Sequence, residues 1–95
     1  MDISKSDIIE SLAGRDKGKY FYVIDVEENF VLIADGRCRK LERPKKKKRK
    51  HVELVARQAS QVAAKICSGD KVLNSELRRD LATFGQQFNS QNQGG

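Results

Sequence analysis

Lys19-Tyr20-Phe21-Tyr22-Val23-Ile24-Asp25-Val26, then Glu27-Glu28-Asn29, then Phe30-Val31-Leu32-Ile33-Ala34, is the stretch that decides the class of fold. Its two apolar runs are rich in aromatic and β-branched residues, which suit a pleated surface. Three polar residues separate them, and Asp35-Gly36 ends the second. Strand, short turn, strand is the pattern of a β-hairpin. Tyr20 and Tyr22 fall on one face of the first strand with Ile24 and Val26, and Phe21 and Val23 fall on the other. Four large side chains on the tyrosine face ask for cover. Packing against C-terminal helices is therefore the favoured role of that face, ahead of base stacking on Tyr20 or Tyr22.

The pattern continues in both directions. Asp7 to Leu12 holds Ile8, Ile9 and Leu12, a short strand. Gly14-Arg15-Asp16-Lys17-Gly18 then makes a tight polar turn, with structural glycines at 14 and 18 and a third at Gly36. Arg37 to Arg43 alternates in part around Cys38 and Leu41 and stops at Pro44, which gives a fourth strand. The run Lys45-Lys46-Lys47-Lys48-Arg49-Lys50 follows as a loop or strand end, too charged to bury. His51 to Val55 is the fifth strand. Five short strands with short links suggest a small barrel over residues 1–56, whose closure removes exposed edges.

Beyond it the period changes. Ala59, Val62, Ala63, Ile66 and Cys67 share a helical face, broken by Ser68-Gly69-Asp70. Asn74 or Ser75 caps a second helix, with Leu77, Leu81, Phe84 and Phe88 on one stripe. A helical extension over 57–88 and a disordered tail at 89–95 complete the expected layout. Cys38 and Cys67 are expected as two buried free thiols in a reduced, cytoplasmic setting.

The charge is concentrated. The chain carries a net +6 over 95 residues, and residues 15–51 alone hold 13 cations against six anions. A local excess of this kind attracts phosphate polymers. Arg15, Lys17 and Lys19 sit on the glycine turn; Arg37, Arg39, Lys40 and Arg43 follow the hairpin; Lys45, Lys46, Lys47, Lys48, Arg49 and Lys50 complete a basic set. A lysine-rich set implies contact with backbone phosphates more than sequence reading. The run also matches the pattern of a nuclear import signal, a motif with many false positives.

The stretch Gly14 to Gly36 resembles a KOW motif, the strand–loop–strand signature of SH3-like barrels in ribosomal proteins and transcription elongation factors. The likeness rests on the basic turn Gly14 to Lys19, on Val23-Ile24-Asp25-Val26, and on Phe30 to Ala34 closing at Asp35-Gly36. It spans roughly residues 6–55. The segment after Gly18 is most similar to small KOW ribosomal proteins of the archaeal and eukaryotic large subunit, and the chain's size fits their bacterial stand-alone relatives. The long basic tails of the ribosomal members are absent. The resemblance implies a mainly β, SH3-like barrel that binds structured RNA, usually ribosomal RNA. Possible neighbours are then ribosomal proteins, in a translation-associated setting. The alternative expectation is a protein–protein module of SH3-like type that binds an acidic partner.

Other classes find little support. No cofactor motif, metal spacing or membrane span is present, and no enzymatic activity is expected. Cys38, His51 and Cys67 would need three distant elements to meet, without an evident fourth ligand. Asp25, Glu27 and Glu28 read as a solvated turn, with hydrolase or nuclease chemistry a remote alternative. Sequence leaves the oligomeric state open.

Overall fold

The computed structural model describes residues 2–57 and 60–93 along the backbone, with described side chains reaching Gln86. Five strands form one antiparallel sheet: β1 (Asp7–Ser11), β2 (Tyr20–Val26), β3 (Phe30–Ala34), β4 (Lys45–Lys48) and β5 (Val52–Arg57), in the order β4-β3-β2-β1-β5. A 3-10 turn, Arg49–His51, links β4 to β5, and two helices follow, α1 (Gln61–Ser68) and α2 (Asn74–Gln93). The expected hairpin is present as β2 and β3, with Tyr22 opposite Ala34 and Val26 opposite Val31.

The strand count agrees with the sequence reading, but the fourth strand is a different segment. Residues 37–43 form turns, and the strand is the lysine run itself, with Lys45 opposite Ile33 and Lys48 opposite Phe30. Backbone pairing does not depend on side-chain charge, and an edge position keeps alternate lysines in water. Lysine on an edge strand also discourages pairing with another chain. The expected closure is not made: β4 and β5 each pair along one side only, so the sheet is open rather than a closed barrel.

Both faces of the sheet are nevertheless buried. Ile3, Ile9, Phe21, Val23, Val31, Ile33 and Val52 form one cluster, drawn from strands as far apart in the sheet as β3 and β5. A flat sheet would hold those strands apart, so the sheet curls around this cluster. The opposite face carries Ile8, Tyr22 and Ala34, covered by Val62, Ala63 and Ile66 of α1 and Leu77 and Leu81 of α2. The tyrosine face thus takes its cover from the helices. One member changes sides. The pairing of β2 with β3 shifts between Val23 and Asp25, a bulge that puts two residues against one. Ile24 stays with the helix-covered cluster, whereas Val26 packs into the inner one.

Tyr22 fastens this layer. Its side chain is fully buried and its hydroxyl donates to the Asp80 carboxylate on α2, with Ser60 hydroxyl beside both. Burial first, and the hydrogen bond to Asp80 second, raise its phenol above the ordinary value. Tyr22→Phe is expected to lose about 2 kcal/mol at neutral pH, the worth of a buried hydrogen bond to a charged acceptor. The sign with pH follows from the raised folded value. The stabilisation is complete below about pH 10, where the unfolded phenol titrates, and is lost as pH rises beyond it. The gap between wild type and Tyr22→Phe in urea unfolding should therefore narrow above pH 10, with the phenylalanine variant correcting for lysine titration.

The helix ends depart from expectation in one informative way. Ser60 caps α1 by accepting from the Ala63 amide at 3.1 Å, and Gly69 ends it in the left-handed region. At the start of α2 the side chain of Glu76 accepts from the Leu73 amide at 3.0 Å, so neither Asn74 nor Ser75 is the capping residue. Asn74 instead reaches across to the 35–43 segment, as described below. The helical backbone of α2 runs on through residues 89–93, where a disordered tail was expected, because each added residue of an existing helix gains a hydrogen bond. Residues 94–95 of that expected tail, Ala59, and the side chain of Phe88 lie outside the described residues. Both cysteines are free and exposed rather than buried. Cys38 sits in the turns after β3, and Cys67 falls at the edge of the α1 face, its thiol 3.2 Å from the Ser6 hydroxyl.

Candidate nucleic-acid interface

The basic residues of the sequence lie on three neighbouring segments, and each is locally fixed. In the β1–β2 turn the Ser11 amide donates to Lys19 carbonyl at 3.0 Å and the Gly18 amide to Ser11 carbonyl at 2.8 Å. Gly18 sits at φ 86°, where a side chain is disfavoured. This presents Arg15, Lys17 and Lys19 on an ordered turn. After β3, the Asp35 carboxylate accepts from the amides of Arg37 and Arg39, both at 2.9 Å, and the amides of Asp35 and Gly36 donate to Arg39 carbonyl. One aspartate thereby fixes the direction of the Arg37–Arg39 turn.

Helix α2 holds the same segment from outside. Asn74 accepts from the Leu41 amide at 2.8 Å and donates to the Glu42 carboxylate at 2.8 Å. Arg78 donates to Gly36 carbonyl at 2.7 Å. Sequence reading assigned no role in the site to Asn74 or Arg78. Their contacts span 32 to 42 residues, and no local pattern announces such a separation.

Asp16 is where the segments meet. It is 5% exposed and lies 3.5 Å from an Arg39 guanidinium nitrogen and 3.8 Å from the Lys45 ammonium. One carboxylate therefore gathers cations from the 35–43 turns and from β4 onto the β1–β2 turn. Lys47 adds a second tie. It opposes Val31, and its ammonium donates to Ala13 carbonyl at 2.7 Å. Lys47 is buried, contrary to the expectation for the run. Strand alternation turns it inward with Lys45, its aliphatic stem tolerates apolar neighbours, and its charge finds a carbonyl.

The outward members of the run behave differently. Lys46 pairs with Glu27 at 3.1 Å and lies 4.9 Å from the centre of the Phe30 ring. Arg49 donates from two nitrogens to Glu27 carbonyl, at 3.0 and 2.9 Å, and its amide bonds Asn29 carbonyl. Lys48 and Lys50 are exposed and make no ion pair among the described residues. The same is true of Arg15, Lys17, Lys19, Arg37, Lys40 and Arg43.

The predicted residues thus spread along a strip rather than gather at a point, and buried Lys47 stands apart from it. At one end Lys45 joins the β1–β2 turn and the 35–43 turns. At the other, Lys48, Arg49 and Lys50 surround the β2–β3 turn. The three-residue rise from Lys45 to Lys48 separates the ends by about 10 Å. Open grooves follow the strip. One of about 360 Å3 is lined by Arg37, Cys38, Arg39, Lys40, Glu42 and Arg43. One of about 350 Å3 lies between Lys19, Tyr20, Arg37 and Arg78. One of about 440 Å3 is lined by Asn29, Phe30, Lys48, Arg49 and Lys50.

Two other residues considered from sequence, Asp25 and Glu27, are exposed at the end of β2 and in the turn after it. Asp25 accepts from the Val26 amide at 2.9 Å and lies 3.9 Å from Lys5, and Glu27 is the partner of Lys46. Among the described residues no group of three or more His, Cys, Asp or Glu is placed to hold a metal ion. Among them, too, no helix is long and apolar enough to cross a membrane. No protein-family model matches the chain, and neither does any curated protein.

Proposed function

We propose that this protein binds structured RNA, ribosomal RNA foremost, by docking its basic strip on backbone phosphates in a ribosome- or translation-associated role in the cytoplasm. The observation that carries this reading is the set of exposed, unpaired cations on the segments that Asp16 ties together. Asp16 on the β1–β2 turn pairs with Arg39 and Lys45 and so ties that turn to the 35–43 segment and β4, while Arg15, Lys17, Lys19, Arg37 and Arg43 keep no internal counter-ion among the described residues. A solubility surface has no need for such gathering. A phosphate chain, which carries charge at regular intervals, does. The five antiparallel strands curled around one face, together with the motif likeness over residues 6–55, support an SH3-like fold of KOW type, open between β4 and β5.

Gradient sedimentation with cell extract tests this reading. The protein should co-migrate with large ribosomal subunits at low salt and return to the top of the gradient at high salt. Ribonuclease should release it from its partners. Retention of protein partners after ribonuclease, with no subunit association, would favour an acidic protein partner instead.

A further inference from the structure

We propose that the groove beside Phe30 is a stacking subsite for one unpaired nucleobase, which would give the strip a preference for RNA with a loop, bulge or free strand next to a paired region. This deepens the RNA-binding reading and rests on it. Tyr20 and Tyr22, on the first strand of the motif, pack against the helices. Tyr22 is buried and bonded to Asp80, and Tyr20 packs edge-on against Phe84 with ring centres 5.4 Å apart. Phe30 stands among Lys46, Lys48, Arg49 and Lys50.

Phe30 begins β3 directly opposite Lys48 and is only half-buried. It belongs to neither of the two apolar clusters. The Lys46 ammonium lies over its ring, 4.9 Å from the centre. Lys46 is itself half-exposed and has Glu27 at 3.1 Å as its other partner, so a base stacked on the ring would have a cation and its counter-ion beside it. The groove of about 440 Å3 at the ring has room for a base and its sugar. Its walls supply what a nucleotide needs: exposed Lys48 and Lys50 for phosphate, and the Asn29 amide for a base edge. Arg49 is held by Glu27 carbonyl and keeps the wall in place. An aromatic ring flanked by cations binds single strands by stacking plus backbone charge, with little preference among bases.

The probe is a short single-stranded RNA with a central 2-aminopurine, whose fluorescence falls on stacking, beside a fully paired duplex of the same length. Wild type should quench the probe at saturation. Phe30→Leu should bind it about tenfold more weakly, lose the quenching, and bind the duplex as wild type does. Phe30→Tyr keeps a ring and should keep the quenching, and thermal melts check that all variants fold. Lys48→Gln should weaken both RNAs and reduce the salt slope by about 1, while still quenching when saturated. Unchanged quenching by folded Phe30→Leu would overturn the stacking subsite and leave RNA binding standing. Failure of wild type to bind either RNA at low salt, with binding of a poly-glutamate peptide, would overturn both readings together.

Discussion

Gly36→Ala should be the most damaging single methyl addition at the left-handed glycines of this fold, costing about 3 kcal/mol. Two penalties coincide there. Gly36 has φ 78°, and a side chain in the left-handed region costs roughly 1–2 kcal/mol. A Cβ at this position would also fall 2.2 Å from Asn74 carbonyl oxygen and 3.1 Å from Leu77 Cβ, so the start of α2 must move. Overpacking of that kind costs roughly 1–3 kcal/mol. Gly18 is the matched control: its φ is 86°, but a Cβ there meets nothing within 4 Å. Gly18→Ala should show the backbone penalty alone, about 1 kcal/mol. For a chain of this size the two variants should melt about 15 °C and about 5 °C below wild type. Equal melting temperatures would mean that α2 does not press on the 35–43 segment as described. The loss at Gly36 should extend to RNA affinity, because the displaced helix carries Asn74 and Arg78, which hold the arginine turn.

Neutralising cations that lack internal partners should weaken RNA binding far more than neutralising an equal charge that is already paired. Arg15, Lys17, Lys48 and Lys50 make no ion pair among the described residues, so each is free to release a counterion from RNA. If about six such contacts form in wild type, log affinity falls with log salt at a slope near −4. The quadruple glutamine variant should lose most of that slope, and its affinity at low salt should drop on the order of a hundredfold. Arg39, Lys45 and Lys46 already face the Asp16 and Glu27 carboxylates. Their triple glutamine variant should alter the slope less and lower stability instead, because it strands the nearly buried Asp16. Titration of ribosomal RNA across a salt series, with a melt for each variant, reads both effects. Equal slope losses in the two variants would show that pairing within the protein does not select the binding residues.

Local pattern carried much of the fold. The hairpin of β2 and β3, the glycine turn, β1, β5 within two residues of its expected bounds, and the Val62, Ala63, Ile66 and Leu77, Leu81, Phe84 positions of the helix stripes each depend on neighbours a few residues apart, and each is found where local pattern puts it. Three features were out of reach for a stated reason. The lysine run has no apolar alternation, so nothing local marks it as β4; it becomes a strand because β3 offers an unpaired edge. Val26 crosses to the inner cluster because of a bulge that appears only when β2 is paired. Asn74 is a plausible cap by type, but its amide is used 33 residues away, on the Leu41 amide. The candidate site divides in the same way. The thirteen cations could be named from composition, whereas Phe30, Asn29, Asn74 and Arg78 enter only through contacts across the sheet and helices.

The sequence by itself determined that this chain builds a small antiparallel β domain with two covering helices and a basic middle. Period, turn chemistry and charge density are local quantities, and they survive in any arrangement of the elements. Only the tertiary structure decided how the charge is used. Curling of the sheet brings Asp16 to Arg39 and Lys45, buries Lys47 against Ala13 carbonyl, and leaves Lys48 and Lys50 in water beside Phe30. Electrostatic interaction weakens with distance and with exposure to solvent. Which cations are spent inside the protein and which remain for a partner is therefore set by a fraction of a nanometre, a scale that chain order does not encode.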